Sequence, residues 1–473
     1  MPITVNRRLL LAGLSALSAG SILGQGRGLA ASLPRLSVES RILEVKGRAA
    51  KVFGIMNEAG GHGLNTVLSE NFTATLVNNT DEETLIHWHG LTPPPKFDGV
   101  PMLSGPVQAP GEARDYDFPT RDAGTHWMHS HVGLQEQHLL AAPLIIRETA
   151  TSLFDEQEHV VMLHDFTFRD PQEILAELQG GGGGHALHAT MTHADGTSMA
   201  MPSPMANDIT YDAMLANDRT LDDPEIVTAE RGGRFRLRII NGAAASNMWI
   251  DLGQIEGEVI AVDGKSVKPL KGKRFPLAIA QRADIRLTLP GAGTWPILFR
   301  AEASTLQSAI ILRSAGAAIA KISDRAEGPA APVDLSLEKH LQSLVHRPDI
   351  AVSRSEMVML TGGGSDYVWG LNSQSGMHQV LFNVREGERY EVMFHNMTGM
   401  AHPMHLHGHY FKVVDINGAR IDGAVRDTVL VPVGETITIQ FDANNPGTWA
   451  FHCHHLYHMN SGMMGAIAYA DAA

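Results

Sequence analysis

Gly447-Thr-Trp-Ala-Phe-His-Cys-His454 is the last of three related stretches; the others are Gly124-Thr-His-Trp-Met-His-Ser-His131 and Gly293-Thr-Trp-Pro-Ile-Leu-Phe-Arg300. A second anchor precedes each. Asn78, Asn241 and Asn396 end alternating or β-branched runs, as in Arg234-Phe-Arg-Leu-Arg-Ile-Ile-Asn241 and Arg389-Tyr-Glu-Val-Met-Phe-His-Asn396. Nine and eleven residues beyond these asparagines stand His87 and His89, then Ile250 and Leu252, then His405 and His407. The chain therefore repeats one unit three times, and the middle copy keeps the frame without the histidines. Such runs, cut by Gly, Pro, Asn and Asp, predict short strands in an all-β chain of sandwiches or barrels. The units are expected at 35–150, 151–315 and 345–473. The Ala-rich stretch 316–344, with its Gly-Pro-Ala-Ala-Pro, reads as a linker. Few segments read as helical, and 172–179 and 336–345 are the best candidates.

Alternation gives the histidines a direction. In a strand, residues i and i+2 share a face and i+1 points the other way. Each His-x-His pair thus presents two imidazoles together. His87, His89, His129, His131, His405, His407, His452 and His454 make eight, too many for one ion and suited to a cluster of about three between the first and third units. Imidazole favours copper, zinc, iron or nickel. Cys453 narrows the choice, because its side chain faces away from its two histidine neighbours. Its partners there can be His402, His458 and Met463, and a His₂Cys set with a weak axial Met is that of a blue-copper electron-transfer centre.

Composition agrees. Of 473 residues, 24 are His and 21 are Met, against a single Cys, which excludes an intrachain disulfide and Cys-rich zinc or iron–sulfur sites. The net charge of −14 argues against a nucleic-acid binder. The glycine run 180–184 lacks a following Lys-Ser/Thr and is no phosphate loop. At the N-terminus, Arg7 and Arg8 precede an apolar run of about 15 residues and a small-residue stretch near Ala30, too short for a membrane span. The 1–30 segment resembles a cleaved twin-arginine export signal. It implies the export machinery as partner, an exported or periplasmic location and no stable membrane insertion.

His87-Trp-His-Gly90, His129-Ser-His131, His402-Pro-Met-His-Leu-His-Gly408 and His452-Cys-His-His-Leu-Tyr-His-Met-Asn-Ser-Gly-Met463 resemble the four copper-binding motifs of multicopper oxidases. The likeness covers nearly the whole chain after residue 30. It implies three consecutive cupredoxin-like Greek-key β-sandwich domains and four copper ions. Type 1 copper falls to His402, Cys453, His458 and axial Met463. Type 2 falls to His87 and His405. The two type 3 ions fall to His89, His129 and His454, and to His131, His407 and His452. The implied reaction takes electrons singly from a reductant and reduces O2 to water. Asp98, in Phe97-Asp98-Gly99, matches the family's acid near the type 2 copper and is expected to relay protons; its other reading is a turn Asp before Gly. Some bacterial relatives carry a second acid directly after the last type 1 histidine, where this chain has Met459.

The reductant is read from less. Residues 180–214 hold Met191, Met199, Met201, Met205 and Met214 with several histidines, and thioethers select Cu(I). This insert resembles Met-rich segments of bacterial copper-tolerance oxidases, and Gly133-Leu-Gln-Glu-Gln137 resembles a further segment of that subgroup. Cu(I) oxidation is the expectation; a laccase acting on phenols or aromatic amines and a copper-sequestering protein are the alternatives. Met397, Met400 and Met404 either line the substrate approach or pack around the copper. His126, His138, His395, His409 and His455 are expected to support ligands or fill core.

Overall fold

A computed structural model describes residues 33–149, 154–182, 188–192, 198–202, 206–376 and 379–470, with side chains described outside 181–205. The segment read as an export signal, 1–30, lies outside them, as does Met205. Among the described residues no helix is long and apolar enough to cross a membrane.

The architecture is three consecutive cupredoxin-like sandwiches. In the first, a sheet of Arg48–Asn57, Arg35–Val45, Asn71–Asn78 and Ala113–Pro119 is matched by one of Leu64–Val67, Ala141–Arg147, Gly124–Ser130 and Ile86–His89. Alternation in Asn71–Asn78 sends Phe72, Ala74 and Leu76 inward, against Ile86, Trp88, Met128 and Leu144 of the opposite sheet. The second sandwich pairs a six-stranded sheet centred on Arg234–Asn241 and Arg282–Thr288 with a five-stranded sheet centred on Thr294–Ala301. The third repeats the plan with Arg389–Asn396 and Thr436–Asp442 in one sheet, and Thr448–Cys453 beside His402–Leu406 in the other. Trp127, Ala141 and Ile145 of the first sandwich form a core cluster with Met162, Ile240 and Ile279 of the second.

The three anchor asparagines do the same work in each copy. Each ends a strand and accepts through Oδ1 from the N–H two residues on, in Thr80, Ala243 and Thr398. Each donates through Nδ2 to backbone carbonyls: Asn78 to Glu82 and Gln108, Asn241 to Ser246 and Leu277, and Asn396 to Met400, Val431 and Pro432. The side chain thus closes an Asx turn and fixes the loop that leads to the next strand. In the first and third copies that strand carries the His-x-His pair.

Helix is sparse, as expected. Pro171–Glu177 is capped by Asp170, whose carboxylate accepts from the Gln172 N–H. Near 336–345 only the 3₁₀ turn Glu338–His340 forms. The 316–344 stretch carries no strand, but it is not a free tether: Ala330, Val333, Leu335, Leu337 and Leu341 are buried in the core shared by the second and third sandwiches.

Candidate metal centre

The His-x-His pairs meet across adjacent strands. His87 pairs in register with His129, and His405 with His452. All eight imidazoles are buried. His407 Nε2 lies 2.9 Å from His452 Nε2, His454 Nε2 lies 3.3 Å from His129 Nε2, and His89 Nδ1 lies 3.4 Å from the same His129 nitrogen. The rings of His87 and His407 are 4.0 Å apart, and those of His89 and His405 are 3.9 Å apart. Pairs from the first and third sandwiches therefore form one cluster.

The outer nitrogens of the cluster face oxygen. His87 Nδ1 contacts Asp98 O at 2.7 Å, His405 Nδ1 contacts Asp427 O at 2.8 Å, His452 Nδ1 contacts Cys453 O at 2.9 Å, and His129 Nδ1 contacts Ser130 O at 3.1 Å. His407 Nδ1 is 2.9 Å from Asp98 Oδ2, and His89 Nε2 is 3.1 Å from Asp427 Oδ1. A carbonyl or carboxylate oxygen only accepts, so these nitrogens carry the protons and the inner ones present lone pairs. Burial, the largest cause, holds His89, His129, His131, His405, His407 and His454 well below the usual imidazole range and His452 at about 4, so the rings are neutral. Nε2 of His87, His131 and His405 is buried without a hydrogen-bond partner. Inward lone pairs with no donor among them fit metal ions, and their outward N–H···O contacts are those expected of metal-ligating histidines.

Cys453 faces the other way. Its Sγ lies 3.6 Å from His402 Nδ1 and 3.8 Å from His458 Nδ1, and these two nitrogens are 3.2 Å apart. His402 Nε2 is 2.6 Å from Thr398 Oγ1, which turns Nδ1 towards the sulfur. Met463 is fully buried; its carbonyl accepts from the Cys453 N–H, and its own N–H donates to the His458 carbonyl. Burial pushes the Cys453 thiol far up, so a cation must enter before the thiolate persists. One intervening backbone thus separates a His₂Cys pocket from the imidazole cluster.

Asp98 is buried between two cluster histidines, with Oδ1 3.3 Å from His87 Nδ1 and Oδ2 on His407. Gly99 makes this possible. It has φ +87°, and a Cβ there would fall 2.0 Å from the Ile86 carbonyl oxygen. Asp98 thus precedes a positive-φ glycine and also stands beside the cluster.

Three buried groups escape sequence reasoning. Asp427 faces His89 and is held by two hydrogen bonds from Arg282, at 2.7 and 2.6 Å. Arg282 belongs to the second sandwich and also donates to the Thr125 carbonyl of the first. Asp208 lies within the Met-rich insert; Tyr367 donates its hydroxyl to it, and its oxygens lie 3.4 Å from His455 Nε2 and 3.6 Å from His458 Nε2. No motif marks these residues.

The remaining candidates divide. Met214 sits in the strand Ala213–Ala216, 2% exposed in the core, and so is not free to collect an ion. Met191, Met199 and Met201 fall in the paired strands His188–Thr192 and Ser198–Pro202, whose side chains are outside the described set. Met400 and Met404 are buried in the core, whereas Met397 is exposed. His455 caps the helix Leu456–Asn460 and stacks on His458 at 3.7 Å.

Three family models described as multicopper oxidase match residues 37–151, 157–319 and 349–473. The chain belongs to the multicopper oxidase family. It is 29% identical over 420 residues to the multicopper oxidase MmcO of Mycobacterium tuberculosis, covering 87% of this chain and 82% of that one. It is 25% identical to a copper resistance protein A homolog of Pseudomonas syringae pv. tomato, over 99% of both chains. A solved multi-copper oxidase from Pseudomonas thermotolerans superposes with a TM-score of 0.70 at 25% identity, covering 92% of this chain and 98% of that one. Its relatives support a copper-dependent oxidoreductase.

Proposed function

We propose that this oxidase takes electrons one at a time from Cu(I) at a type 1 site of His402, Cys453, His458 and Met463, and reduces O2 to water at a trinuclear site. In that site His87 and His405 hold the type 2 ion. His89, His129 and His454 hold one type 3 ion, and His131, His407 and His452 hold the other. The observation that carries the catalytic reading is Cys453 on one strand face with His452 and His454 on the other. Bound copper would supply one-electron transfer at the thiolate pocket and multi-electron oxygen chemistry at the imidazole cluster.

The chain's own residues do the rest. Thr398 and the helix-capping His455 fix the His402 and His458 rings. The protein excludes bulk water from both sites, since every imidazole and the thiol are buried. Reduction of O2 to water consumes four protons, and Asp98 is assigned to deliver them: its buried Oδ1 has no hydrogen-bond partner and faces the cluster.

Cu(I) as reductant is supported by the Met-rich composition of the insert and by Asp208, which ties that insert to His458. Similarity to copper resistance protein A points the same way. The N-terminal segment is assigned to export, which would place the reaction outside the cytoplasm.

The test is oxygen uptake by copper-loaded protein given Cu(I) and a simple phenol separately, with Cys453→Ser as control and a second form lacking 181–205. Uptake with Cu(I) that the excision weakens while phenol oxidation persists is the expected result. Uptake with phenol alone makes the chain a laccase. No uptake with either, despite full copper, leaves a sequestering protein and ends the oxidase reading.

A further inference from the structure

Three buried carboxylates surround the imidazole cluster, and each bridges the same joint. Asp98 faces His87 of the first sandwich and His407 of the third. Asp427 faces His89 and His405. Glu136 completes the pattern: Oε2 is 3.2 Å from His129 Nδ1 and Oε1 is 3.8 Å from His454 Nδ1.

We propose that Glu136 is a positioning residue of the trinuclear site, one carboxylate holding His129 and His454 so that both Nε2 atoms point at a shared copper position. This rests on the copper-oxidase reading above. The two Nε2 atoms lie 3.3 Å apart. That arrangement needs both rings protonated at Nδ1, and an Nδ1–H needs an acceptor. His129 has the Ser130 carbonyl besides Glu136. His454 Nδ1 is buried and makes no hydrogen bond, so the Glu136 carboxylate is the acceptor in reach once the rings are drawn onto a metal. Oε1 of Glu136 is likewise buried and unpartnered.

The surrounding residues hold Glu136 rather than letting it adapt. It is 2% exposed and sits in the middle of Gln135-Glu136-Gln137. Gln135 accepts from Ser130 Oγ at 2.7 Å and from Thr84 Oγ1 at 3.0 Å, both in the first sandwich. Gln137 accepts from Tyr211 of the second sandwich at 2.9 Å and from Tyr457 of the third at 3.2 Å. The triplet is therefore anchored to all three sandwiches, with the carboxylate at the joint. A carboxylate offers two acceptor oxygens, one for each imidazole; an amide offers one and a thioether none of comparable strength.

The test compares Glu136→Gln and Glu136→Met with the wild type. Each is loaded with Cu(II), dialysed against graded chelator and assayed for copper per chain. The visible absorption of the Cys453 pocket serves as an internal control of folding. Loss of supporting partners of this kind costs 10–100-fold in metal affinity. The expectation is therefore one cluster copper held about 10–100-fold more weakly in the Met variant and several-fold more weakly in the Gln variant, with the Cys453 band intact in both. A role in packing alone predicts that Met, close in volume, retains copper as the wild type does. Wild-type retention in both variants overturns the proposal. If the Met variant does not fold, the Gln variant decides by the same criterion. Failure of the wild type itself to bind copper would sink the copper-oxidase reading instead.

Discussion

Asp98 Oδ2 stands 2.9 Å from His407 Nδ1, although the two residues lie 309 positions apart. The contact joins a turn of the first sandwich to a strand end of the third. Asp98→Asn keeps an oxygen to accept from His407 but cannot supply a proton. Copper content should stay unchanged while turnover with O2 falls roughly 10²–10⁴-fold. Anaerobic reduction of the Cys453 pocket by Cu(I), followed by stopped-flow, should keep its wild-type rate. A parallel loss of both rates would remove the proton role.

Cys453→Ser separates the two sites. The hydroxyl is a poor substitute for a thiolate towards copper. The variant should lose the visible band and all reductant-driven oxygen uptake while retaining the copper of the imidazole cluster, because His452 and His454 face the other side of the strand. Copper analysis beside an oxygen electrode checks this. Loss of every copper ion would mean the sites are not independent.

Arg282 is fully buried and neutralises Asp427 through two hydrogen bonds. Arg282→Met strands that carboxylate beside His89. Breaking one side of a buried pair costs about 3–5 kcal/mol. The urea midpoint of the copper-free protein should fall accordingly. Arg282→Lys should recover little, since an ammonium cannot span both carboxylate oxygens and the Thr125 carbonyl.

Acid should weaken the copper-free fold. Burial lowers His409 and His452 to about 4 and His458 to about 3, whereas in the unfolded chain each titrates near 6.5. A depressed folded value means that stability is fully present above 6.5 and is lost as pH falls through that value towards 4. His409 alone accounts for a loss of about 3 kcal/mol. Glu302, raised to about 7 by burial, acts in the opposite sense, as do Glu136, Glu338 and Asp427, whose carboxyls burial also pushes up, but the buried histidines with lowered values outnumber these four. Urea midpoints between pH 7.5 and 5 should therefore decline, and His409→Gln should flatten the slope. A midpoint that rises on acidification contradicts this account.

Local pattern was legible because it is set locally. The period-2 spacing put His452 and His454 on one face and Cys453 on the other, and the structure has them so. The recurring asparagines marked equivalent strand ends because an Asx turn needs only its own residues and the nearby loop. The Met-rich insert shows the limit of the same reasoning. Composition grouped Met214 with the others, but strand pairing with Gln157–Phe166 puts it in the core.

The sequence by itself determined the strand alternation, the threefold repeat and the facing of the His-x-His pairs, since each follows from residue order along a strand; the candidate ligand set came from the resemblance of four motifs to a family. Only the tertiary structure decided what supports those ligands. Asp427, Arg282, Glu136 and Asp208 reach their partners from other sandwiches or distant loops. A buried carboxylate or guanidinium is placed by whichever packed surface closes over it, and no periodicity along the chain records that surface.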